Sequence, residues 1–248
     1  MEKEPIIQVK KLGAGYNGCA ILDQVSFDVH KGEVFVIMGG SGCGKTTLLK
    51  HLIGLIRPVA GHIIIDGDDI AHCDETLLRK TLRKIGVLYQ STALFNSMTI
   101  AENVALPIRE YTDLSKKSVD TLVKMKLSLV NLDGYENYLP SEISGGMKKR
   151  AGIARAMALN PEILFFDEPS AGLDPVASDE LDNLIVQLNK SLGTTMVMVT
   201  HELRSICHVA HRVIMLDKNK KGIIAEGDPR YLRDHSTDPV VKAFFNGL

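Results

Sequence analysis

A glycine-rich segment that lies between an apolar run and a helical pattern has the spacing G-x-x-x-x-G-K-[ST], which is typical of a phosphate-binding loop. The run before it, Val34–Met38, is predicted to be a strand. Glycines let successive backbone N–H groups turn toward phosphate oxygens, and the start of the next helix adds a partial positive charge. Lys45 would place its ammonium on the β- and γ-phosphates, and the hydroxyl of Thr46 would ligate Mg²⁺. The loop residues expected to contact the nucleotide are Gly39, Gly40, Ser41, Gly42, Cys43, Gly44, Lys45, Thr46 and Thr47.

Four polar residues, Asp167, Glu168, His201 and Gln90, follow apolar runs that we predict to be buried β-strands. Because ligands of open parallel sheets bind beyond the carboxyl ends of the strands, we expect these side chains to meet the phosphate loop. Asp167 would hold Mg²⁺, and Glu168 would act as the general base toward the attacking water. His201 would reach the γ-phosphate, and Gln90 would contact the metal or the water. The three runs are Ile163–Phe166, Thr195–Val199 and Ile85–Tyr89.

A second glycine motif, Ser144-Gly145-Gly146, precedes another helical pattern. The pattern predicts that Ser144 caps the helix and that the two glycines let an anion approach its N–H groups. One interpretation is only a capped helix with a basic, solvated face. The other is a second phosphate-binding end, which predicts a dimer because the chain already has one phosphate site of its own. The apolar face of this helix consists of Met147, Ala151, Ala154 and Ala158, with basic residues on the opposite face.

Strand-like runs alternate with helical patterns, which predicts an α/β fold with a mostly parallel sheet covered on both faces. Between Ser91 and Ser144 the strand-like runs stop, which indicates an inserted helical subdomain. The segment Asp228–Leu248 is predicted to form one or two short helices. Further predicted strands are Ile6–Leu12, Val25–Val29, Ile63–Ile65, Val213–Leu216 and Ile223–Ala225, and predicted helices include Thr46–Leu55, Ile100–Arg109 and Ser115–Val130.

Composition narrows the function classes. The 248 residues include 29 basic and 30 acidic side chains, so a net charge of −1 leaves no global positive field for nucleic acid or an anionic bilayer. No apolar run approaches the roughly 18 residues of a membrane span, and the N-terminus lacks a signal-peptide pattern. The cysteines show no C-x-x-C spacing. We therefore expect a cytosolic protein that binds no nucleic acid and serves a membrane only through a partner.

These motifs, in this order, resemble the nucleotide-binding subunit of ABC transporters from about Ile6 to Gly227. The resemblance implies ATP and Mg²⁺ as ligands and ATP hydrolysis as the activity. It adds Tyr16 as the aromatic residue that stacks on adenine, and Asp174 as the D-loop aspartate. The other matches are Gly39–Thr46 with the Walker A motif, Gln90 with the Q-loop, Ser144–Gly146 with the signature motif, Asp167 and Glu168 with the Walker B motif, and His201 with the switch histidine.

The family's architecture implies a single ABC ATPase domain over residues 1–248. Its P-loop NTPase core, of class α/β with a mostly parallel sheet, would comprise 6–90 and 160–227 and would include an antiparallel β-subdomain. An inserted α-helical subdomain carrying the signature motif would cover 91–159. A helical tail would follow over 228–248.

The resemblance also implies partners. Two copies would form a homodimer that sandwiches ATP head to tail, and an integral membrane permease would dock on the helical subdomain at the cytoplasmic face of the inner membrane. Leu94, Phe95 and Met98 either line that docking groove or pack the subdomain core. The C-terminal tail has an apolar face that either docks on the domain itself or contacts the other ATPase subunit or a small regulatory subunit. This face consists of Val240, Val241, Phe244 and Phe245.

The signature motif departs from the family's usual Leu-Ser-Gly-Gly-Gln, because Met147 stands where Gln would donate hydrogen bonds. The runs Gln90–Phe95 and Ser144–Arg150 are similar to the Mla/Mce-type branch, in which the ATPase works with a permease and an MCE-domain lipid-binding protein to move phospholipid. The alternatives are an ABC transporter for another solute, such as an amino acid or a metal chelate, or a non-transport ABC ATPase. A GTP-binding switch is not favoured, because Asp217–Lys220 does not supply an Asn-Lys-x-Asp guanine reader.

Overall fold

The structure, a computed structural model, describes residues 4–16 and 19–247, without the side chains of residues 16 and 19. None of the described helices is long and apolar enough to cross a membrane. The strands are β1 (Pro5–Tyr16), β2 (Cys19–His30), β3 (Val34–Gly39), β4 (Ala60–Ile65), β5 (Asp68–Asp69), β6 (Ile85–Leu88), β7 (Ile163–Asp167), β8 (Thr195–Val199), β9 (Arg212–Asp217) and β10 (Gly222–Gly227). The helices are α1 (Lys45–Leu52), α2 (Glu75–Leu82), α3 (Ile100–Tyr111), α4 (Lys116–Leu129), α5 (Gly145–Ala156), α6 (Pro175–Leu192), α7 (Leu203–Val209), α8 (Pro229–His235) and α9 (Pro239–Phe245).

The larger sheet has six strands in the order β10-β9-β3-β8-β7-β6. The strands from β9 to β6 run parallel, and β10 pairs antiparallel with β9. Successive side chains of a strand point to opposite faces, so this sheet separates two cores, with Val36 in one and Phe35 in the other. The prediction of a mostly parallel sheet covered on both faces is confirmed.

A second sheet is antiparallel, with the strand order β2-β1-β4-β5. It shares a core with helix α1 and with the face of the larger sheet that carries Phe35 and Phe165. Phe27 of β2 stacks on Phe35, with the ring centroids 5.3 Å apart. Leu48 and Leu49 of α1 are buried in the same core, which fixes the helix that begins directly after the phosphate loop.

Residues of α3, α4 and α5 belong to the core on the opposite face of the larger sheet. The buried Asn103 of α3 donates through its side-chain amide to the carbonyl oxygens of Phe95 and Met98, and its Oδ1 accepts the N–H of Phe95. A single buried amide therefore ties the loop after β6 to α3. The predicted helices Ile100–Arg109 and Ser115–Val130 correspond to α3 and α4.

Helix α5 approaches β6 through glycines on both elements. A Cβ at Gly86 of β6 would lie 2.1 Å from the carbonyl oxygen of Ala156, and a Cβ at Gly152 of α5 would lie 2.5 Å from a methyl carbon of Leu88. Only glycine allows two backbones to come this close. The contact brings α5 against the carboxyl-end edge of the sheet.

Some element ends differ from prediction. Strand β1 continues to Tyr16 rather than ending at Leu12, and β2 begins at Cys19, six residues before the predicted Val25. Helix α1 ends at Leu52 rather than at Leu55, because Gly54 takes a left-handed φ of 71°. The short tail is confirmed as two helices. Val241 and Phe245 of α9 are buried in the core beside α3–α5, so this part of the tail docks on the chain itself, whereas Val240 is exposed.

Candidate functional site

Four neighbouring strands of the larger sheet end at one edge, and each end leads to a residue expected to handle nucleotide. In the sheet these strands lie in the order β3-β8-β7-β6. Their carboxyl ends lead to Gly39, to His201, to Asp167 and Glu168, and to Gln90. Because all four strands run parallel, the structure brings these residues to the same edge, where open parallel sheets bind their ligands.

The loop between β3 and α1 has a backbone shaped around glycine. Gly39, Gly42 and Gly44 have φ values of 145°, 75° and 100°, which other residues rarely adopt. At Gly39 a Cβ would also lie 2.4 Å from the carbonyl oxygen of Leu216. No side chain in the described part of the chain caps the start of α1, so its first N–H groups are open to a ligand.

Lys45 reaches back over this loop. Its ammonium donates to the carbonyl oxygens of Gly39 and Gly40 at 2.8 and 3.1 Å. Phosphate oxygens in the same place would accept stronger hydrogen bonds than these neutral carbonyls, because both partners would then be charged. Cys43 points the other way, into the core beneath the loop, and burial raises the pKa of its thiol while Lys45 lowers it. The Cys43 side chain therefore packs the loop rather than facing a ligand.

Asp167 is half-buried at the end of β7. Burial raises the pKa of its carboxyl group, the adjacent Glu168 raises it further, and three nearby lysines lower it. Among the described residues we find no hydrogen-bond donor to this carboxylate. A partly buried carboxylate without a donor favours a cation as its partner. Thr46, in the first turn of α1, is exposed, and its hydroxyl also has no partner among the described residues.

Glu168 and His201 contact each other directly. Glu168 has a left-handed φ of 45°, held by the hydrogen bond from its N–H to the carbonyl oxygen of Val199 at 2.8 Å. Its two carboxylate oxygens lie 2.9 and 3.0 Å from Nδ1 of His201. The Glu168 side chain is 13% exposed and that of His201 is 63% exposed. A non-glycine residue in this conformation is typical of functional sites, and here it points a carboxylate at the water-accessible sheet edge.

Lys149 of α5 is a site residue that the sequence analysis missed. The helical pattern placed it on a basic face, which one interpretation took as solvated, but only 4% of Lys149 is exposed. Its Nζ donates to the carbonyl oxygen of Gln90 at 2.7 Å and to that of Glu168 at 3.4 Å. Lys149 is buried because α5 packs against α3, α4, α6 and β6, whereas the neighbouring Lys148 and Arg150 stay partly exposed. Gly152 lies one turn further along the same face, and a glycine within a helix could have indicated that another element packs closely there.

The residues Ser144–Gly146 form the start of α5. The hydroxyl of Ser144 accepts the N–H of Met147 at 3.3 Å, which confirms the predicted cap. Ser144 and Gly145 are exposed, and no described hydrogen bond joins this segment to the phosphate loop. Asp174 caps α6, because one carboxylate oxygen accepts two backbone N–H groups of that helix, both at 3.0 Å.

Two other expectations concern side chains around the site. The side chain of Tyr16 lies outside the described residues, so its stacking on adenine stays a prediction. Leu94 packs against the core beside α3–α5, Met98 is half-buried, and Phe95 is 51% exposed. Of the three groove candidates, Phe95 therefore offers the largest accessible apolar surface.

A second group of metal-ligating side chains lies away from the strand ends. His62, Asp69 and His72, on and after β4 and β5, place one ligand atom each within 4.8 Å of one another. Nδ1 of His62 lies 2.8 Å from a carboxylate oxygen of Asp69. Two imidazoles and one carboxylate suit a transition metal better than Mg²⁺, which prefers oxygen ligands. This group therefore does not compete with Asp167 and Thr46 as the magnesium site.

Comparisons with known sequences agree with the geometry of the strand ends. The family profile described as "ABC transporter" matches residues 22–171. The "Intermembrane phospholipid transport system ATP-binding protein MlaF" of Escherichia coli strain K12 is 41% identical over 94% of this chain and 85% of its own length. The "Probable ribonucleotide transport ATP-binding protein mkl" of Mycobacterium leprae is 43% identical over 97% of this chain and 69% of its own length.

Solved structures of similar chains have the same fold. A dimeric ATP-binding cassette in a post-hydrolysis state, with ADP and phosphate bound, has a TM-score of 0.80 and 30% identity, covering 90% of this chain and 98% of that chain. The cbiO1 protein of Clostridium perfringens, part of the ABC transporter complex cbiONQ, has a TM-score of 0.86 and 27% identity, covering 93% of this chain and 91% of that chain.

Proposed function

This chain belongs to the ABC transporter family of ATPases, and from that premise we propose that it powers the movement of phospholipid between membranes through a permease partner. Its similarity to MlaF, at 41% identity over 94% of the chain, is the observation that carries the choice of cargo. The steps that the residues of this chain would perform follow from the geometry of the strand ends.

The donor set at the sheet edge fits Mg²⁺. The hydroxyl of Thr46 and the carboxylate of Asp167 are both oxygen ligands without partners among the described residues, and Gln90 offers an amide oxygen from the next strand end. Bound there with ATP, Mg²⁺ would neutralise charge on the β- and γ-phosphate oxygens. Lys45 would exchange its two loop carbonyls for phosphate oxygens and so hold the same end of the nucleotide.

Glu168 would act as the general base for hydrolysis. Its carboxylate would accept the proton of a water molecule as the water oxygen bonds to the γ-phosphorus, while the bond from that phosphorus to the bridging oxygen breaks and ADP leaves. His201 contacts that carboxylate at 2.9 and 3.0 Å in this structure. When a γ-phosphate enters the site, the exposed ring of His201 would leave the carboxylate and turn toward the phosphate. Asp167, one residue earlier, would stay ionised on the metal.

A homodimer would complete the site. The start of α5 presents the exposed Ser144 and Gly145, with the N–H groups of a helix, to solvent rather than to the chain's own phosphate loop. A helix start of this kind attracts phosphate. In the proposed dimer Ser144–Gly146 bind the γ-phosphate held by the loop of the other copy. The dimeric ADP- and phosphate-bound relative supports this arrangement.

An integral membrane permease would dock near the Gln90 strand end, and this chain would then lie at the cytoplasmic face of the membrane. A cleft of about 670 Å³ lies between α2, β6 and α3 on that side. Arg83 lies over the ring of Tyr111 at its wall, and Arg155 joins it there. The exposed Phe95 lies in the loop that follows β6. Together they offer apolar surface and positive charge to a cytoplasmic segment of a permease.

One alternative assignment of the cargo is also supported by a similar protein. The Mkl protein of Mycobacterium leprae is as similar as MlaF and is named for ribonucleotide transport. In the proposed phospholipid transport, an MCE-domain lipid-binding protein would be the further partner. Transport of an amino acid or a metal chelate, or an ATPase role without transport, would require partners of another kind.

Affinity purification of the tagged chain from detergent-solubilised membranes, followed by mass spectrometry, tests this proposal. We expect a permease and an MCE-domain protein in the eluate. A permease with a soluble solute-binding protein would overturn the phospholipid assignment, and an eluate with no membrane protein would overturn the transporter assignment. Phe95→Asp should lose the permease, whereas Leu114→Asp, at another exposed apolar position of the helical region, should keep it.

A further inference from the structure

We propose that Lys149 is a positioning residue for ATP hydrolysis, which holds the strand ends of Gln90 and Glu168 in fixed relative position from within helix α5. The inference rests on the proposed function, because it takes Glu168 as the base and Gln90 as the contact to metal or water. Lys149 has no contact with the nucleotide in this role. It acts through the backbone of two residues that do.

Lys149 forms a bridge between the backbones of Gln90 and Glu168, which the pairing of the strands does not join. Strands β6 and β7 pair in parallel only as far as Leu88 and Phe166. Gln90 and Glu168 each stand two residues beyond that last pair, where no strand-to-strand hydrogen bond joins them. The ammonium of Lys149 contacts both of their carbonyl oxygens, at 2.7 and 3.4 Å, and so takes the place of the missing ladder bond. Hydrogen bonds from a charged donor are stronger than those of the neutral ladder.

The bridge also supports the conformation of Glu168. Its left-handed φ of 45° is costly for a residue with a side chain. On one side the N–H of Glu168 donates to Val199, and on the other its carbonyl oxygen accepts from Lys149. Without Lys149 one of these two bonds is lost, and the Glu168 carboxylate loses part of its orientation toward the site.

Burial of Lys149 is expensive, which points to a specific role. A buried ammonium costs free energy, and the nearby carboxylates of Asp167 and Glu168 offset only part of that cost, since neither forms an ion pair with Lys149 among the described residues. An apolar side chain would fill the same space between α5 and β6 without that cost. The close glycine contacts at Gly86 and Gly152 bring the amine to this position.

The chain contains a matched control. Lys126 of α4 is also buried, with 7% exposed, and it donates to the side chain of Asn160. It lies beside a cavity lined by Met157 and Leu192, not at the strand ends that carry Gln90 and Glu168. Removing its charge should therefore disturb packing to a similar degree without touching the hydrolysis site.

Kinetics of the purified transporter complex test the inference. We expect Lys149→Met to lower kcat by roughly 10- to 100-fold, the range that a misplacement of about 1 Å produces, with KM for ATP nearly unchanged. Lys149→Arg, which keeps the charge and the donors, should recover most of the rate. Lys126→Met should keep the wild-type kcat. A Lys149→Met variant with wild-type kcat, or an equal loss in Lys126→Met, would overturn the inference.

Hydrogen–deuterium exchange in the presence of EDTA gives a second measurement that does not depend on activity or on Mg²⁺. In Lys149→Met we expect faster exchange confined to residues 90–93 and 168–172, while uniform loosening of α5 would show a packing role only. If Lys149→Met does not fold, Lys149→Gln serves for both measurements. Glu168→Gln, measured in parallel, separates the two proposals: wild-type hydrolysis in that variant contradicts the proposed base, not the role of Lys149.

Discussion

The phosphate loop and the start of helix α5 are both glycine motifs at the start of a helix, but they differ in the residues that surround them. The phosphate loop lies among four strand ends that carry Asp167, Glu168 and His201, and its Lys45 is bonded within the loop. The start of α5 is exposed, and its only described side-chain hydrogen bond is the internal cap from Ser144.

The difference indicates that the start of α5 lacks a phosphate within its own chain. In the proposed site, the strand ends would supply all the groups that one nucleotide needs, namely a loop, a lysine, oxygen ligands for Mg²⁺ and a base. The start of α5 supplies only N–H groups and a hydroxyl, which are useful when a phosphate comes from elsewhere. Two copies that face each other would give each start of α5 the phosphate that its own chain does not bring to it.

The largest effect is expected from charging the start of α5. Gly145→Asp should fold well, because a carboxylate at the first helical position favours the helix dipole, and a Cβ there meets only Leu173 at an ordinary 3.5 Å. The same carboxylate would repel a phosphate from the partner copy. We expect ATP hydrolysis to fall by roughly 10²- to 10³-fold, with ATP binding retained. Gly145→Ala is the control, and equal losses in both variants would contradict the assignment.

A smaller effect is expected at the phosphate loop, where a substitution should weaken ATP binding itself. Lys45→Ala removes the ammonium from the β- and γ-phosphates, and one charge-assisted contact contributes about 1.5–3 kcal/mol. ATP affinity measured by titration calorimetry should fall by roughly 10- to 100-fold. Unchanged affinity would show that Lys45 stays on its loop carbonyls when ATP binds.

The close contact between β6 and α5 positions the start of α5 relative to the strand ends, and it can be tested by measuring the stability of the folded protein. Gly86→Ala places a Cβ 2.1 Å from the carbonyl oxygen of Ala156 and must push α5 away from β6. We expect a loss of about 1–3 kcal/mol in the free energy of unfolding, measured in urea. Gly145→Ala on the same helix should leave it unchanged or raise it slightly. A neutral Gly86→Ala would show that α5 can shift freely relative to the strand ends.

The smallest effect concerns pH. Asp182 of α6 is buried and accepts the hydroxyl of Ser205, and burial raises its pKa from 3.8 to about 6 although that hydrogen bond lowers it. The folded state therefore binds more protons than the unfolded state between about pH 4 and 6. As pH rises through that window, ionisation of Asp182 lowers the free energy of unfolding of the protein. Asp182→Asn cannot ionise. Relative to wild type, it should be more stable at pH 7.5 than at pH 4.5 by about 1–2 kcal/mol.

Urea unfolding at the two pH values measures this difference. Asp179→Asn, at an exposed position of the same helix, should show a much smaller dependence on pH, because the charge of Asp179 is only the smallest of the causes that raise the pKa of Asp182. Equal behaviour of the two variants would contradict the account of Asp182.

Sequence patterns predicted the fold class and the strand ends well, because buried parallel strands are continuous apolar runs and the chemistry follows them directly. They did not predict Lys149, since a helical pattern cannot show that a second element covers its polar face. The contact between Glu168 and His201 was also not predictable, because it depends on β7 and β8 being neighbours. Helix α2 was not predicted, although Leu78 and Leu82 lie one turn apart on one face and Asp74 is a capping residue at its start.

The most direct test of the composite site is the mass of the Glu168→Gln variant by size-exclusion chromatography with light scattering, with and without Mg·ATP. Because this variant should bind ATP and not hydrolyse it, we predict a dimer with ATP and a monomer without it. Adding Gly145→Asp to the same chain should keep ATP binding and prevent the dimer. A species that stays monomeric with bound ATP, or dimerises equally with Gly145→Asp, would contradict the account that two copies build each site.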